Sequence, residues 1–328
     1  MIRTRLLATL GVLAVLCLLS LMIGARAVPP GDVLGALFGD RGPDIEGIVW
    51  GARLPRTVLG LLVGAALGLA GAVMQALTRN PLADPGLLGI SAGAAFGIVA
   101  AAAVVGVSTF YGYIGFAFAG AVLASVVVYL LGGAGRGAAS PVTLALAGVA
   151  LTALLTSLTS GIALIDPEAL NRYRFWDAGS LAGSDFGVVW RLAPVLLAGA
   201  VVALAVAPAL NSLALGTDVA AALGRRVGLV RAGAAVSITL LTAAAVAAVG
   251  PIVFVGLVVP HLARVVTGPD HRWLLPISAL LAPVLLLAAD ILGRVVARPG
   301  EVGVGVVVAV VGAPVFIGLV RRRRLAEL

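Results

Sequence analysis

The chain reads as an all-α, polytopic membrane protein with about ten transmembrane helices, and three observations predict this. Of its 328 residues, 61% are hydrophobic and only 11% charged. Its mean hydropathy is +1.16. Its apolar residues fall in long continuous runs rich in Ala, Leu and Gly. A helix needs about 20 apolar residues to cross the hydrocarbon layer, and this much apolar sequence cannot be hidden in a water-soluble core. Barrel strands alternate in short segments, a different pattern from this one.

Taken in order, the apolar runs place spans at about 6–25, 57–77, 87–105, 114–132, 142–165, 190–209, 231–249, 252–266, 274–293 and 303–320. The first run follows Arg3 and Arg5 and precedes Ala25-Arg26-Ala27, which mimics a cleavable signal peptide. The many spans after it favour an uncleaved first helix. Cys17, inside this run, supports neither a disulfide nor a metal site. Arg53-Leu-Pro-Arg56 opens the second span, with proline where a helix start tolerates it. Gly60, Gly64 and Gly68 along that span, and Gly303, Gly305 and Gly312 near the last, permit close helix approach. The segment Thr78-Arg-Asn-Pro-Leu-Ala-Asp-Pro-Gly86 is a turn, because Asn-Pro and Asp-Pro stop one helix and start the next.

The fifth span carries Thr152, Thr156, Thr159 and Ser160 on one helical face. That stripe suits either a path for a polar solute or interhelical hydrogen bonds. Between the sixth and seventh spans, segment 211–230 leaves the membrane, and Leu213 to Arg226 predicts a short helix capped by Thr217 or Asp218 and closed by Gly224. The eighth run is broken by Gly250-Pro251 and Pro260 and is expected to be partly re-entrant. Such breaks persist only where protein or a water-filled cavity satisfies the freed backbone groups. The four spans after the first and the four after the sixth would enter the membrane from opposite sides, as inverted repeats do. No linker divides the chain, so residues 1–328 are expected to form one transmembrane domain.

All 22 basic residues are arginine. A Walker A phosphate loop needs lysine, so the chain has no ATP-hydrolysing site of that kind and must draw on a partner or a gradient. The net charge of +8 is read as loop orientation and not as a nucleic-acid surface. With the N-terminus inside, thirteen arginines, among them Arg79, Arg136, Arg231 and Arg321 to Arg324, fall on the cytoplasmic side and nine outside. An even number of spans then leaves both termini cytoplasmic.

Arg53 and Arg56, with Arg294, are expected at the outer surface. There they would either snorkel to lipid headgroups or receive carboxylates from a soluble partner in bidentate pairs. Asp290 stands four residues before Arg294, which predicts an internal ion pair in preference to a proton-relay carboxylate. His261 and His271 read as helix-end and interface groups, and no metal or cofactor is expected. Gly89-Ile-Ser-Ala-Gly93 fits the G-x-S-x-G pattern of a serine nucleophile, which with His261 would make an intramembrane protease. That pattern belongs to a strand-turn-helix elbow, whereas here it opens an apolar helix.

Several of these strings together resemble a known family. They are Arg53-Leu-Pro-Arg56, Gly71-Ala-Val-Met-Gln75 with the turn after it and Gly86 to Gly93, Phe175-Trp-Asp-Ala-Gly-Ser-Leu181, Gly250-Pro-Ile-Val-Phe-Val-Gly-Leu-Val-Val-Pro-His-Leu-Ala-Arg264, Gly268-Pro-Asp-His-Arg272 and Ala289-Asp290. Over roughly residues 45 to 320 the chain resembles the FecCD/BtuC-type permease subunits of bacterial ABC importers for iron-siderophores, haem and cobalamin. It departs from the family where Pro299-Gly-Glu-Val-Gly-Val-Gly305 stands for Pro-Glu-Leu-Pro-x-Gly.

The resemblance implies a BtuC-like type II ABC importer fold in the bacterial cytoplasmic (inner) membrane. It implies a second permease copy or paralogue, two ABC ATPase subunits on the cytoplasmic face, and a periplasmic or lipid-anchored solute-binding protein. Within that scheme Arg53, Arg56 and Arg294 dock the binding protein. Thr217, Asp218, Ala221, Leu223, Gly224, Arg225 and Arg226 couple to the ATPase, and the threonine stripe lines the pathway. The expected cargo is a ferric siderophore, with haem or cobalamin behind it. A proton-coupled secondary transporter is the alternative mechanism.

Overall fold

The computed structural model describes residues 2–39, 42–107, 109–133, 141–298 and 300–321; Arg136, Pro299 and Arg322 to Arg324 lie outside the described residues. Among the described residues the α-helices are α1 (Ile2–Met22), α2 (Pro30–Leu37), α3 (Pro43–Ile48), α4 (Leu54–Thr78), α5 (Ile90–Ala100), α6 (Phe110–Gly133) and α7 (Pro141–Ile165). They continue with α8 (Pro167–Asp177), α9 (Phe186–Ala214), α10 (Thr217–Ala222), α11 (Val227–Val249), α12 (Val255–Thr267), α13 (His271–Val296) and α14 (Val304–Arg321). Seven helical segments are long and apolar enough to cross a membrane, and three shorter apolar ones, Ile90–Val105, Val255–Thr267 and Val304–Gly318, complete the set. These ten match the ten apolar runs in order.

The differences lie at the ends. A π turn at Val49–Arg53 joins α3 to α4, so Pro43–Thr78 is one helical rod of 36 residues and not a span of about twenty. The sixth run extends outward into the 29 residues of α9, with Pro194 and Pro208 inside the helix. The eighth becomes α12, only 13 residues, which is about 20 Å of helix against a hydrocarbon thickness of about 30 Å. It starts from Phe254, whose φ of 67° is left-handed.

The core is built around α4. Leu59, Val63, Ala70 and Val73 are fully buried, as they must be in a helix that is apolar all round and enclosed by neighbours. It packs on α13, α11, α9 and α12. The glycine stripe decides how closely. A Cβ on Gly64 would lie 2.7 Å from the Pro283 backbone, and one on Gly71 would land on the Gly256 carbonyl oxygen. Close approach of this kind replaces side-chain interdigitation with backbone contact over a wide area. By contrast α1 and α7 present Leu7, Leu10, Val149 and Leu164 outward, surfaces suited to lipid or to other subunits.

Candidate functional site

One end of the bundle gathers the C-terminus of α1, the start of α4 and the last turn of α13 around a charged cluster. Asp290 is its hub. The Arg56 guanidinium donates from Nη2 to Asp290 Oδ1 at 2.7 Å, and from Nη1 to Glu301 Oε2 at 2.6 Å. Arg294, one helical turn beyond Asp290, pairs with the other carboxylate oxygen. Only 1% of the Asp290 side chain and 2% of that of Arg294 are exposed. Burying charge is tolerable only when it is paired and hydrogen-bonded, and here two cations enclose one anion.

Further donors go to the end of α1 and the turn after it. Arg53 Nη1 reaches the carbonyls of Leu21 at 2.6 Å and Met22 at 2.9 Å, and Nη2 reaches that of Arg26. Arg294 Nη1 takes the carbonyls of Ser20 at 2.8 Å and Ile23 at 3.0 Å. The last carbonyls of a helix have no partner within it and carry partial negative charge, so these two arginines act as a cap supplied from distant sequence. Ser20 Oγ and Thr57 Oγ1, 2.8 Å apart, complete the junction.

The three arginines singled out in the sequence therefore do come together, but Arg53, Arg56 and Arg294 are all buried. Neither snorkelling nor a freely offered pair describes them, because each guanidinium is held by acceptors within the chain, with Arg294 Nε alone of the three residues' nitrogens buried without a partner. The Arg56–Glu301 pair forms the edge of the cluster, where Glu301 is one-third exposed. Glu301 and Ser20 went unread in the sequence. The first lies in the departing Pro-Gly-Glu-Val-Gly string, and an isolated serine late in an apolar run sends no signal.

At the opposite end α10 projects between α9 and α11. Gly216, with φ of 116°, precedes the helix, and no side chain caps it, so neither Thr217 nor Asp218 is the N-cap. Gly224 does close it, with φ of 77° and N–H to the Ala221 carbonyl at 2.9 Å. Ala220 is buried, while Asp218, Ala221, Leu223, Gly224, Arg225 and Arg226 are exposed and Thr217 half-buried. Leu215, Val219 and Leu223 make an apolar tip beside the two arginines. Nearby, Asn211 donates to Asp270 at 2.6 Å and accepts from the His271 backbone N–H at 2.9 Å. The Arg272 backbone N–H and then Asn211 hold the Asp270 carboxyl below the usual carboxylate range.

Four of the sequence strings interlock between these ends. Gln75 donates to the Leu257 carbonyl at 3.1 Å, and His261 Nε2 lies 3.0 Å from the Pro81 carbonyl, so the 78–86 turn is fastened to α12. The Ser180 N–H reaches the Val249 carbonyl at 2.7 Å, and the Gly305 N–H reaches the Gly179 carbonyl at 3.0 Å. A Cβ at Gly303 would sit 2.7 Å from the Gly179 oxygen; this position, where the resembled family carries proline, has no room for a ring. On α7 the stripe divides: Thr156 and Ser160 are exposed, Thr152 is half-buried and Thr159 is buried. Ser91 of the G-x-S-x-G string lies in α5, a helix and not an elbow.

Residues 12–322 match the FecCD transport family. The chain belongs to that family. It is 53% identical to the ferric enterobactin transport system permease protein FepD of Escherichia coli (strain K12), over 98% of this chain and 96% of that protein. It is 42% identical to the cobalamin import system permease protein BtuC of Halobacterium salinarum, over 86% of this chain and 75% of that one. A solved transporter described as of metal-chelate ABC type, in an inward-facing conformation, superposes with a TM-score of 0.86 at 29% identity over 98% of this chain and all of that one.

Proposed function

We propose that this chain is the transmembrane permease subunit of an ATP-driven importer that carries a ferric siderophore across the bacterial inner membrane. The observation that carries the reading is the 53% identity, over nearly the full length of both chains, to a ferric enterobactin permease. Haem and cobalamin stand behind it, the latter favoured by the 42% identity to a cobalamin permease. Two ATPase subunits supply the energy, a second permease copy or paralogue completes the pathway, and a solute-binding protein delivers the chelate. The chain itself breaks no bond.

On this reading both termini and the α10 end face the cytoplasm, and the Asp290 cluster faces outward. Residues 217–226 receive the ATPase through the apolar tip and Arg225 and Arg226. At the outer end Arg53 and Arg294 fix α1 in place and position Arg56, and the Arg56–Glu301 edge of the cluster is where the binding protein docks. Thr156 and Ser160 supply hydroxyls to the pathway. Closing the ATPase pair pushes α10, and the rigid helices tilt to open the pathway to each side in turn.

The test is uptake of iron-loaded enterobactin by cells lacking this chain. Uptake should disappear and return with the gene; uptake unaffected by the loss rejects the cargo. Purified chain that alone accumulates chelate in vesicles would reject ATP-driven import in favour of a gradient-coupled mechanism. For the outer edge, Glu301→Cys should cross-link to the bound binding protein, and labelling unaltered by that protein would remove the docking face from this position.

A further inference from the structure

Two adjoining cavities lie on the flank of the bundle beside its α10 end. The first, about 220 Å³, is lined by Leu77, Arg79, Tyr129, Leu213 and Arg231 among others. The second, about 400 Å³, is an apolar groove between α6 and α11 whose walls include Val122, Val126, Leu130, Val236 and Leu240. Tyr129 and Ala232 line both, so the two share a wall and lie side by side. From Val122 to Leu130 the groove follows about 12 Å of helix.

The mouth is cationic without compensation. Arg79 closes α4 in a left-handed conformation with φ of 49°. Arg231, in the second turn of α11, has only a 3.5 Å contact to Thr217 Oγ1. Among the described residues neither arginine has a carboxylate partner. The Tyr129 hydroxyl is buried there with no hydrogen-bond partner. Two guanidiniums and a phenol therefore converge where a greasy slot begins, and the slot opens sideways past the exposed Val126 and Leu130.

A free anion would satisfy the mouth and leave the groove empty, and an apolar segment would fill the groove and leave the arginines bare. An amphiphile with an anionic head does both. We propose that these cavities form a binding site for an anionic phospholipid, its phosphate held by Arg79, Arg231 and Tyr129 and one acyl chain lying between α6 and α11. The site ties the end of α4, the start of α11 and the base of α10 to the lipid leaflet on that side. Lipid retention is measured on the resting protein, so the result is independent of the cargo reading.

The test is native mass spectrometry of the full chain after incubation with vesicles of phosphatidylglycerol or of phosphatidylcholine. Phosphatidylglycerol should be retained and phosphatidylcholine not. Arg79→Gln and Arg231→Gln should each lower retention about five-fold, Arg→Lys at either position should largely preserve it, and Val236→Trp should evict the lipid with both arginines intact. Equal retention of the two lipids, or full retention by the double Gln variant, would overturn the proposal. So would inorganic phosphate binding as tightly as the lipid and indifferent to Val236→Trp, which would leave an anion site only. Two protein occupants are also tested: Gln variants that keep lipid but lose the ATPase subunits, or a Trp variant that keeps lipid but loses its paired copy, would assign the surface to protein and overturn it.

Discussion

Two groups of arginines, one at each end of this bundle, are handled in opposite ways. At the α1–α4–α13 end, three guanidiniums are buried and held by Asp290, Glu301 and the carbonyls that close α1. At the other end Arg225 and Arg226 stand exposed in the turn just after α10, a six-residue helix that buries little beyond Ala220. The same residue type is a structural rivet in one place and a presented surface in the other. What separates them is the company of acids and orphan carbonyls, which the local sequence around each arginine does not reveal.

That contrast can be broken most forcefully at its hub. Asp290→Ala leaves Arg56 and Arg294 buried without their shared anion, and should cost about 3–5 kcal/mol, read as loss of folded protein or a large drop in thermal stability in detergent. Gly71→Ala should cost about 1–3 kcal/mol by driving a methyl into the Gly256 carbonyl; a Tm equal to that of the parent would mean the contact between α4 and α12 is looser than described.

At the α10 end the effects on stability shrink while those on coupling grow. Gly224→Val meets open space but must adopt φ of 77°, a strain of about 1–2 kcal/mol, and on the proposed function it should uncouple ATP hydrolysis from uptake. Tight coupling in that variant counts against α10 as the transmitter. Asp270→Ala should remove about 1 kcal/mol, as expected for an N-cap. Because the folded pKa of Asp270 is lowered, its contribution is complete above the unfolded value of about 3.9 and is lost as pH falls through the folded one. The stability difference between parent and variant should therefore be constant from pH 7 to 5 and vanish in stronger acid. Smallest of all, Arg225→Glu with Arg226→Glu should change stability by less than about 0.5 kcal/mol, yet weaken ATPase binding in a salt-dependent manner.

Much of this architecture was legible because a bilayer imposes length and hydropathy on each helix. The ten runs, the break at Gly250-Pro251 and the closing role of Gly224 follow from rules that act over a few residues. The Asp290–Arg294 pair was visible as an i, i+4 spacing. What escaped was non-local. Arg53 reaches carbonyls some thirty positions earlier in the chain, and nothing near Arg53 marks α1 as its partner. Nor could Thr217 or Asp218 be excluded as a cap until the φ of Gly216 was known, since polar residues at a helix start all look eligible.

The backbone contact at Gly71 and Gly256 carries a mechanical consequence. Where a helix lies against its neighbour with no side chain between them, and Gln75 hooks the same neighbour one turn on, lengthwise sliding would drag a carbonyl oxygen across every following Cβ. The rod can lean together with α12 but cannot piston past it, so displacement entering at one face of the molecule must travel as rotation of a slab.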